Sequence, residues 1–225
     1  MRALVALLAI VGVATAGCAD DTDATAPGDA TVGILATGCR NTAGRGIGTV
    51  IEPGVILTSA HTLAGADSVT ITDRNGTAAP ARIVAFDPEM DLALLAADIP
   101  LPAVALADDP PTTDEAPGLA GTIVVERDGR LVVEPITVER RVMITTEDIH
   151  REGETRRPGY EITADIEPGD SGALVVIGGS GIAVVWSRSV RTDGKAWAID
   201  PIRAGDTIRS QLADGIPGSV DLTRC

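Results

Sequence analysis

Short runs rich in Val, Ile and Thr, each ended by Gly, Pro or Asp, follow one another through most of this chain and leave little room for helices. From residue 31 they are "TVGILAT", "IGTVIEPGVILTSA", "SVTITD", "ARIVAFD", "LALLAAD" and "AVALA". After "DDPPTTDEAPG" they resume as "GTIVVERDGRLVVEPITV", "RVMITT", "YEITAD", "GALVVIGGSGIAVVWS" and "KAWAID". Runs of this length, β-branched and punctuated by turn residues, predict strands. About six fall on each side of the proline-rich break, so the expected fold is all-β, a pair of small antiparallel barrels at 32–107 and 119–225 joined by a linker at 108–118. Aromatic residues make up only 2% of the chain, so the cores must be built from Val, Ile, Leu and Ala. Asp128-Gly129 in "ERDGR" suits a two-residue hairpin turn. One helix is expected near the end, from Pro201 to Leu212, with proline in its first turn.

The first 30 residues have a different character. Arg2, the apolar run Ala3 to Val13 and the small residues after it form an export signal over 1–17, and 18–31 reads as an acidic, flexible linker. Ala14-Thr15-Ala16 suits ordinary signal-peptidase cleavage, whereas "TAGC" resembles a bacterial lipobox ending at Cys18. Cysteine parity favours the second: lipidating Cys18 leaves Cys39 and Cys225 to form one disulfide in an oxidising compartment. The expected location is the outer face of the cell membrane through an N-terminal lipid anchor, with plain secretion as the alternative. A net charge of −14 argues against nucleic acid as a partner, because phosphates require clustered Lys and Arg.

Two histidines, His61 and His150, make the search for a general base short. His61 closes the apolar segment "GVILTSAH", while His150 sits in "TTEDIHREGETRRPG", a charged segment expected to be an exposed loop. A serine hydroxyl attacks only when an imidazole accepts its proton, and the imidazole needs a carboxylate to set its tautomer and stabilise its cation. Asp91 in "DPEMDLALL" stands at the mouth of an apolar strand, where an acid is costly unless partnered. Asp87, beside Pro88, competes for that role but suits a turn. Ser171 in "IEPGDSGALVV" is the candidate nucleophile, and Gly169 can take a conformation that aims its N–H, with that of Ser171, at a developing oxyanion. Each piece alone is common; the order His, Asp, Ser, each at a strand edge, is far more specific.

"GVILTSAH", "DPEMDLALL" and "IEPGDSGALVV" resemble the three motif blocks of the trypsin-like serine proteases. The spacing, 30 residues from His61 to Asp91 and 80 from Asp91 to Ser171, resembles the bacterial branches. Among these, "GCRNTAGRGIGTVI" and "YEITADIEPGDSG" are similar to the Htr-type and membrane-tethered actinobacterial acid-resistance proteases. The resemblance implies two six-stranded antiparallel β-barrels with a short C-terminal helix, the triad His61, Asp91, Ser171 in the cleft, and an oxyanion hole from the N–H groups of Gly169 and Ser171. Ala173 departs from the family's glycine at that place. Asp165 coincides with the position that selects Arg or Lys substrates in trypsin.

The expected activity is therefore that of an exported serine endopeptidase acting on protein or peptide substrates through an acyl-enzyme, without a cofactor. No ligand spacing for a metal is present. The alternative is an inactive protease-fold lipoprotein that serves as a binding or scaffold module.

Overall fold

In a computed structural model, which describes residues 26–112, 114–205, 208 and 210, the β-branched runs form twelve strands in two closed sets of six. The first set is β1 (Thr31–Gly38), β2 (Gly44–Glu52), β3 (Val55–Thr58), β4 (Ala66–Asp73), β5 (Ala78–Asp87) and β6 (Leu92–Ala96). It closes in the order β1-β2-β3-β6-β5-β4, every pair antiparallel. The second is β7 (Leu119–Arg127), β8 (Arg130–Glu147), β9 (Glu154–Thr163), β10 (Leu174–Ile177), β11 (Ser180–Arg188) and β12 (Lys195–Ile199). It runs β10-β11-β12-β9-β8-β7 and comes round at one registered pair, Val176 with Thr122. The expected all-β pair of six-stranded barrels is what the chain adopts.

Strands at the junction of the barrels are apolar on both faces, and their packing shows why. Along β6, Leu92, Leu94 and Ala96 join a cluster containing Ile144, Leu174, Val176 and Ile199 of the second barrel. The alternate residues Ala93 and Leu95 point into the first barrel with Val32, Ile34, Ile56 and Ile71. Side chains of a strand alternate in direction, so a strand buried twice reads as an unbroken apolar run. β3 splits its residues the same way, Val55 and Leu57 to the junction and Ile56 to the interior. The second barrel's interior holds Ile123, Ile162, Val175 and Val185 around Tyr160. Tyr160 is fully buried, and its hydroxyl donates to the Pro111 carbonyl at 2.8 Å. Burial pushes its phenol up to about 12.

Several sequence expectations shift in detail. "IGTVIEPGVILTSA" is two strands, divided at Gly54, whose φ of 75° turns the chain. "AVALA" is not a barrel strand: Val104 donates to Val50 of the first barrel, and Ala107 then donates to Gly181 of the second. It is spent on crossing between the barrels, and its one bridge there is Leu106 with Gly181. The Asp128-Gly129 turn forms as expected, with φ of 51° and 74°. Beyond it, "GRLVVEPITV" and "RVMITT" fuse into the 18-residue β8. The segment expected as an exposed loop around His150 is the tip of the β8–β9 hairpin, with β9 starting at Glu154. At the C-terminal end, α2 (Pro201–Ala204) begins where expected; the Asp200 side chain caps it by accepting from the N–H groups of Ile202 and Arg203. The single helix expected to run on to Leu212 is interrupted at Gly205, whose backbone is not helical. Most of the residues after it lie outside the described residues, as do the export signal, Cys18 and Cys225.

Candidate active site

The register of β3 against β6 puts two of the three candidate residues side by side. Thr58 pairs with Ala93, so the chain leaving β3 and the chain entering β6 meet at the same end of the junction. There, the Ala60 N–H donates to the Asp91 carbonyl at 3.2 Å. A single helical turn, α1 (Ala60–Leu63), follows β3 and carries His61. Asp91, one residue before β6, takes a φ of 57°, a left-handed conformation uncommon outside glycine. That twist turns its carboxylate onto the histidine. Oδ1 accepts the His61 backbone N–H at 2.7 Å, and Oδ2 lies 2.8 Å from Nδ1. Asp91 is 1% exposed, while the His61 side chain is 36% exposed, so the acid is enclosed and the imidazole edge open. Asp87 forms a turn, its Oδ1 accepting from the N–H groups of Glu89 and Met90.

Ser171 arrives from the second barrel, on the loop that precedes β10. Its carbonyl accepts the Ile47 N–H of β2 at 2.9 Å, which seats the loop on the first barrel. A side chain on Gly46 of β2 would stand 2.8 Å from both the Ser171 carbonyl and the Thr62 side chain. The serine loop and the helical turn of His61 thus face each other across one absent side chain. Gly172 completes the fit: at φ 92° it brings its α-carbon so close that an added Cβ would lie 2.1 Å from the Ile47 carbonyl. The same Cβ would lie 2.4 Å from Thr58 Oγ1, which itself donates to the Ile47 carbonyl.

The loop's conformation orients its amides. Gly169 has φ 108°, and the intervening Asp170 N–H turns back to the Glu167 carbonyl at 3.1 Å. Among the described residues, the N–H groups of Gly169 and Ser171 donate no hydrogen bond, nor does the Ser171 hydroxyl make one. Ala173 keeps the turn intact: it donates to the Asp170 carbonyl at 3.1 Å, accepts from Val185 at 2.8 Å, and its methyl is fully buried in the second barrel.

Two arginines that the sequence pattern did not single out brace these parts. Asp170 is 2% exposed, directly before the serine, and Arg127 at the end of β7 meets it with Nη1 to Oδ1 at 2.8 Å. Arg127 also donates to the Asp165 carbonyl at 2.9 Å and pairs with Glu134 at 3.1 Å. The hydrogen bond to Asp170 holds the guanidinium above its ordinary value. Asp170 Oδ2 closes the loop by accepting the Glu167 N–H at 2.7 Å. The signal for such a partner was indirect: an acid buried beside an apolar run requires a cation or several donors. Arg157 on β9 is the second, 1% exposed and bonded to the turn before Asp91.

Beside His61 and Asp91 lies a cavity of about 350 Å³, lined also by Thr146, Trp186 and Ser187. Those last three border a second cavity of about 660 Å³, which extends to Met143 and Trp197. Trp186 thus borders both, and Arg188 two residues on is exposed. Asp165 is exposed, lines neither cavity and engages Arg127 through its carbonyl. His150 sits half-buried at the hairpin tip. Cys39 follows β1, its N–H bonded to the Gly65 carbonyl. Among the described residues, no cluster of His, Cys, Asp and Glu could hold a metal ion, and no helix is long and apolar enough to cross a membrane.

The chain is similar to proteins of known class. Serine protease Rv3671c of Mycobacterium tuberculosis is 30% identical over 172 residues, covering 74% of this chain and 42% of that protein. This chain thus spans less than half the length of the curated relatives it matches. The crystal structure of the Rv3671c protease in its active form superposes with a TM-score of 0.78 at 25% identity, covering 88% of this chain and 86% of the other. The inactive form of the same protease gives 0.68 at 25% identity, covering 84% and 89%. The HtrA-type protease AlgW with tripeptide gives 0.67 at 25% identity, covering 86% and 62%. A family model described as trypsin-like peptidase domain matches residues 46–182, which begin on β2 under the serine loop and take in His61, Asp91 and Ser171. With that match running through both barrels, over well half the chain, this protein belongs to the trypsin-like peptidase family.

Proposed function

We propose that this chain is a serine endopeptidase that hydrolyses peptide bonds through an acyl-enzyme. The observation that carries the reading is the enclosed Asp91 carboxylate, which holds His61 by its backbone N–H and by Nδ1 while the rest of the ring stays open. In that geometry Nδ1 keeps its proton on the Asp91 side, and Nε2 is the basic nitrogen. Nε2 takes the Ser171 proton as Oγ bonds to the substrate carbonyl carbon; the carbonyl oxygen becomes an oxyanion that the N–H groups of Gly169 and Ser171 receive. Collapse of this intermediate breaks the C–N bond, and the imidazolium returns its proton to the departing amine. Water repeats the sequence on the acyl-enzyme and restores the serine. Each donor to the oxyanion is worth about 3 kcal/mol in comparable sites. The greater likeness to the active than to the inactive form of Rv3671c supports a competent arrangement.

Substrate is a protein or peptide lying along Trp186, with its side chains over the two adjoining cavities. The AlgW structure holds a tripeptide, which supports the same class of ligand here. Asp165 as a selector for Arg or Lys before the scissile bond is the narrower part of the reading; a peptide library cut with indifference to those residues would remove it. Export, lipidation of Cys18 and a Cys39–Cys225 disulfide complete the proposal, and intact-mass measurement of the native protein checks all three.

The second reading, a binding module with an idle triad, draws on the Ser171 hydroxyl, which makes no hydrogen bond to His61. Such bonds are often long before substrate arrives. Treatment with a fluorophosphonate decides between the two: the parent is expected to label and Ser171→Ala to stay unlabelled. A parent that remains unmodified where control proteases react would leave only the binding module.

A further inference from the structure

Arg157 heads the largest fully buried side chains of the described residues, in a segment expected to be exposed loop. Burying a guanidinium is costly without partners. Its partners belong to the other barrel: Nε donates to the Glu89 carbonyl at 2.6 Å and Nη2 to the Pro88 carbonyl at 3.4 Å. Both carbonyls lie in the turn between β5 and β6 that ends at Asp91. The hairpin tip adds a bond of its own, Ile149 N–H to the Pro88 carbonyl at 3.3 Å. On its other side the guanidinium stacks over the Trp186 ring, 5.4 Å from the centroid. It thus stands where the Asp91 turn, the Trp186 ring and the cavity beside His61 meet.

No carboxylate touches Arg157 among the described residues, so its charge is balanced at longer range. Asp91 is the foremost of the acids that act on it, followed by Asp148 of the hairpin and Asp87 of the turn. Burial lowers its pKa and these acids oppose the fall. Around the shared cavity the remaining charged or titratable groups are His61, Glu147 and Arg151. Asp91 needs such a neighbour. Its two oxygens are committed to the backbone N–H and the ring of His61, and a neutral imidazole brings no charge to match a carboxylate that is 1% exposed.

Resting on the endopeptidase reading, we propose that Arg157 is a positioning residue for the reaction: it pins the turn that aims Asp91 at His61, and its fixed charge keeps that carboxylate ionised when the imidazole is neutral. Enzyme lacking that charge therefore loses its working base at a higher pH.

Arg157→Gln, which removes the charge and retains a hydrogen-bond donor, tests this in the full chain beside the parent. The expected result is an acid limb of kcat/KM displaced upward by about half to one pH unit, with kcat reduced on the order of tenfold and KM within twofold of the parent. A folded variant whose kcat falls while its acid limb stays where the parent's lies would overturn the electrostatic role and leave a simple staple between barrels. Should the Gln variant not fold, Arg157→Lys carries the test: the retained charge should hold the acid limb in place while the lost Nε bond lowers kcat, and a limb that moves as far as half a unit overturns the proposal. Failure of the endopeptidase reading looks different, since the parent itself would then show no turnover and no fluorophosphonate labelling.

Discussion

The first barrel's share of the site turns on one carboxylate gripping one histidine, and the second's on the backbone of a loop braced from beneath. His61 and Asp91 are joined by two hydrogen bonds within one barrel, made possible by the register of β3 and β6 and by a single left-handed residue. Ser171 and its flanking amides are shaped instead by Gly169 and Gly172 at positive φ, by a backbone bond to Ile47, and by the buried pair Asp170–Arg127 beneath the loop. The difference teaches where each half is vulnerable. A dyad of side chains can lose its chemistry and keep its fold, whereas a loop wedged between barrels loses both together.

The largest expected effect breaks the first half alone. Asp91→Asn keeps the shape but removes the charge and unsettles the His61 tautomer, so kcat should fall about ten-thousand-fold while the thermal midpoint changes little. Steady-state kinetics and thermal unfolding of one sample read both quantities, and a large loss of stability would contradict the separation of chemistry from fold. Gly172→Ala strikes the second half: the methyl would meet the Ile47 carbonyl and the positive φ would be strained. A loss of about 3 kcal/mol is expected, measured by denaturant unfolding, with activity falling alongside.

Arg127→Met sharpens the contrast by leaving Asp170 buried without its cation. It should cost about 3 kcal/mol and lower the rate of fluorophosphonate labelling, because the loop bearing Ser171 is no longer tied. Adding Asp170→Asn should recover part of both; a double variant as impaired as the single would show that the ion pair is not what orders the loop.

Tyr160→Phe, outside the candidate triad, sets the scale for an ordinary core contact, a loss of about 1 kcal/mol at neutral pH. Its pH dependence has a definite sign. The folded phenol titrates near 12, above the ordinary value of 10, so its contribution is complete below pH 10 and is lost as pH rises from 10 toward 12. Unfolding curves of the Phe variant should lack that alkaline component.

Particular residues show how far local pattern carries. "LALLA" and "GVILT" were readable as strands because β-branched and aliphatic residues over so short a span, closed by turn residues, have few other uses; that both are buried twice appears only in the packing. "AVALA" looked the same and is not a barrel strand, because hydrogen bonds to Val50 and Gly181 draw it across the junction. The turn at Asp128-Gly129 was legible because two successive positive φ angles favour that dipeptide. By contrast, "TRRPG" offers nothing to distinguish Arg157 from Arg156, yet one side chain is buried and the other exposed. Alternation along β9 assigns them opposite faces, and only the neighbouring barrel determines which face is inside.

By itself the sequence determined an all-β chain of two strand sets, the scarcity of histidine that made His61 the natural candidate for a base, and the order in which Asp91 and Ser171 follow it. These properties reside in residue type, spacing and composition, which act locally. Only the tertiary structure decided that Asp91 turns on a positive φ to meet His61, that Ser171 is seated on β2 by glycines with no room for a side chain, and that Arg127 and Arg157 brace the two halves. Their partners lie across long stretches of chain, where contact depends on how two closed sheets dock, and no short segment encodes that by its own propensity.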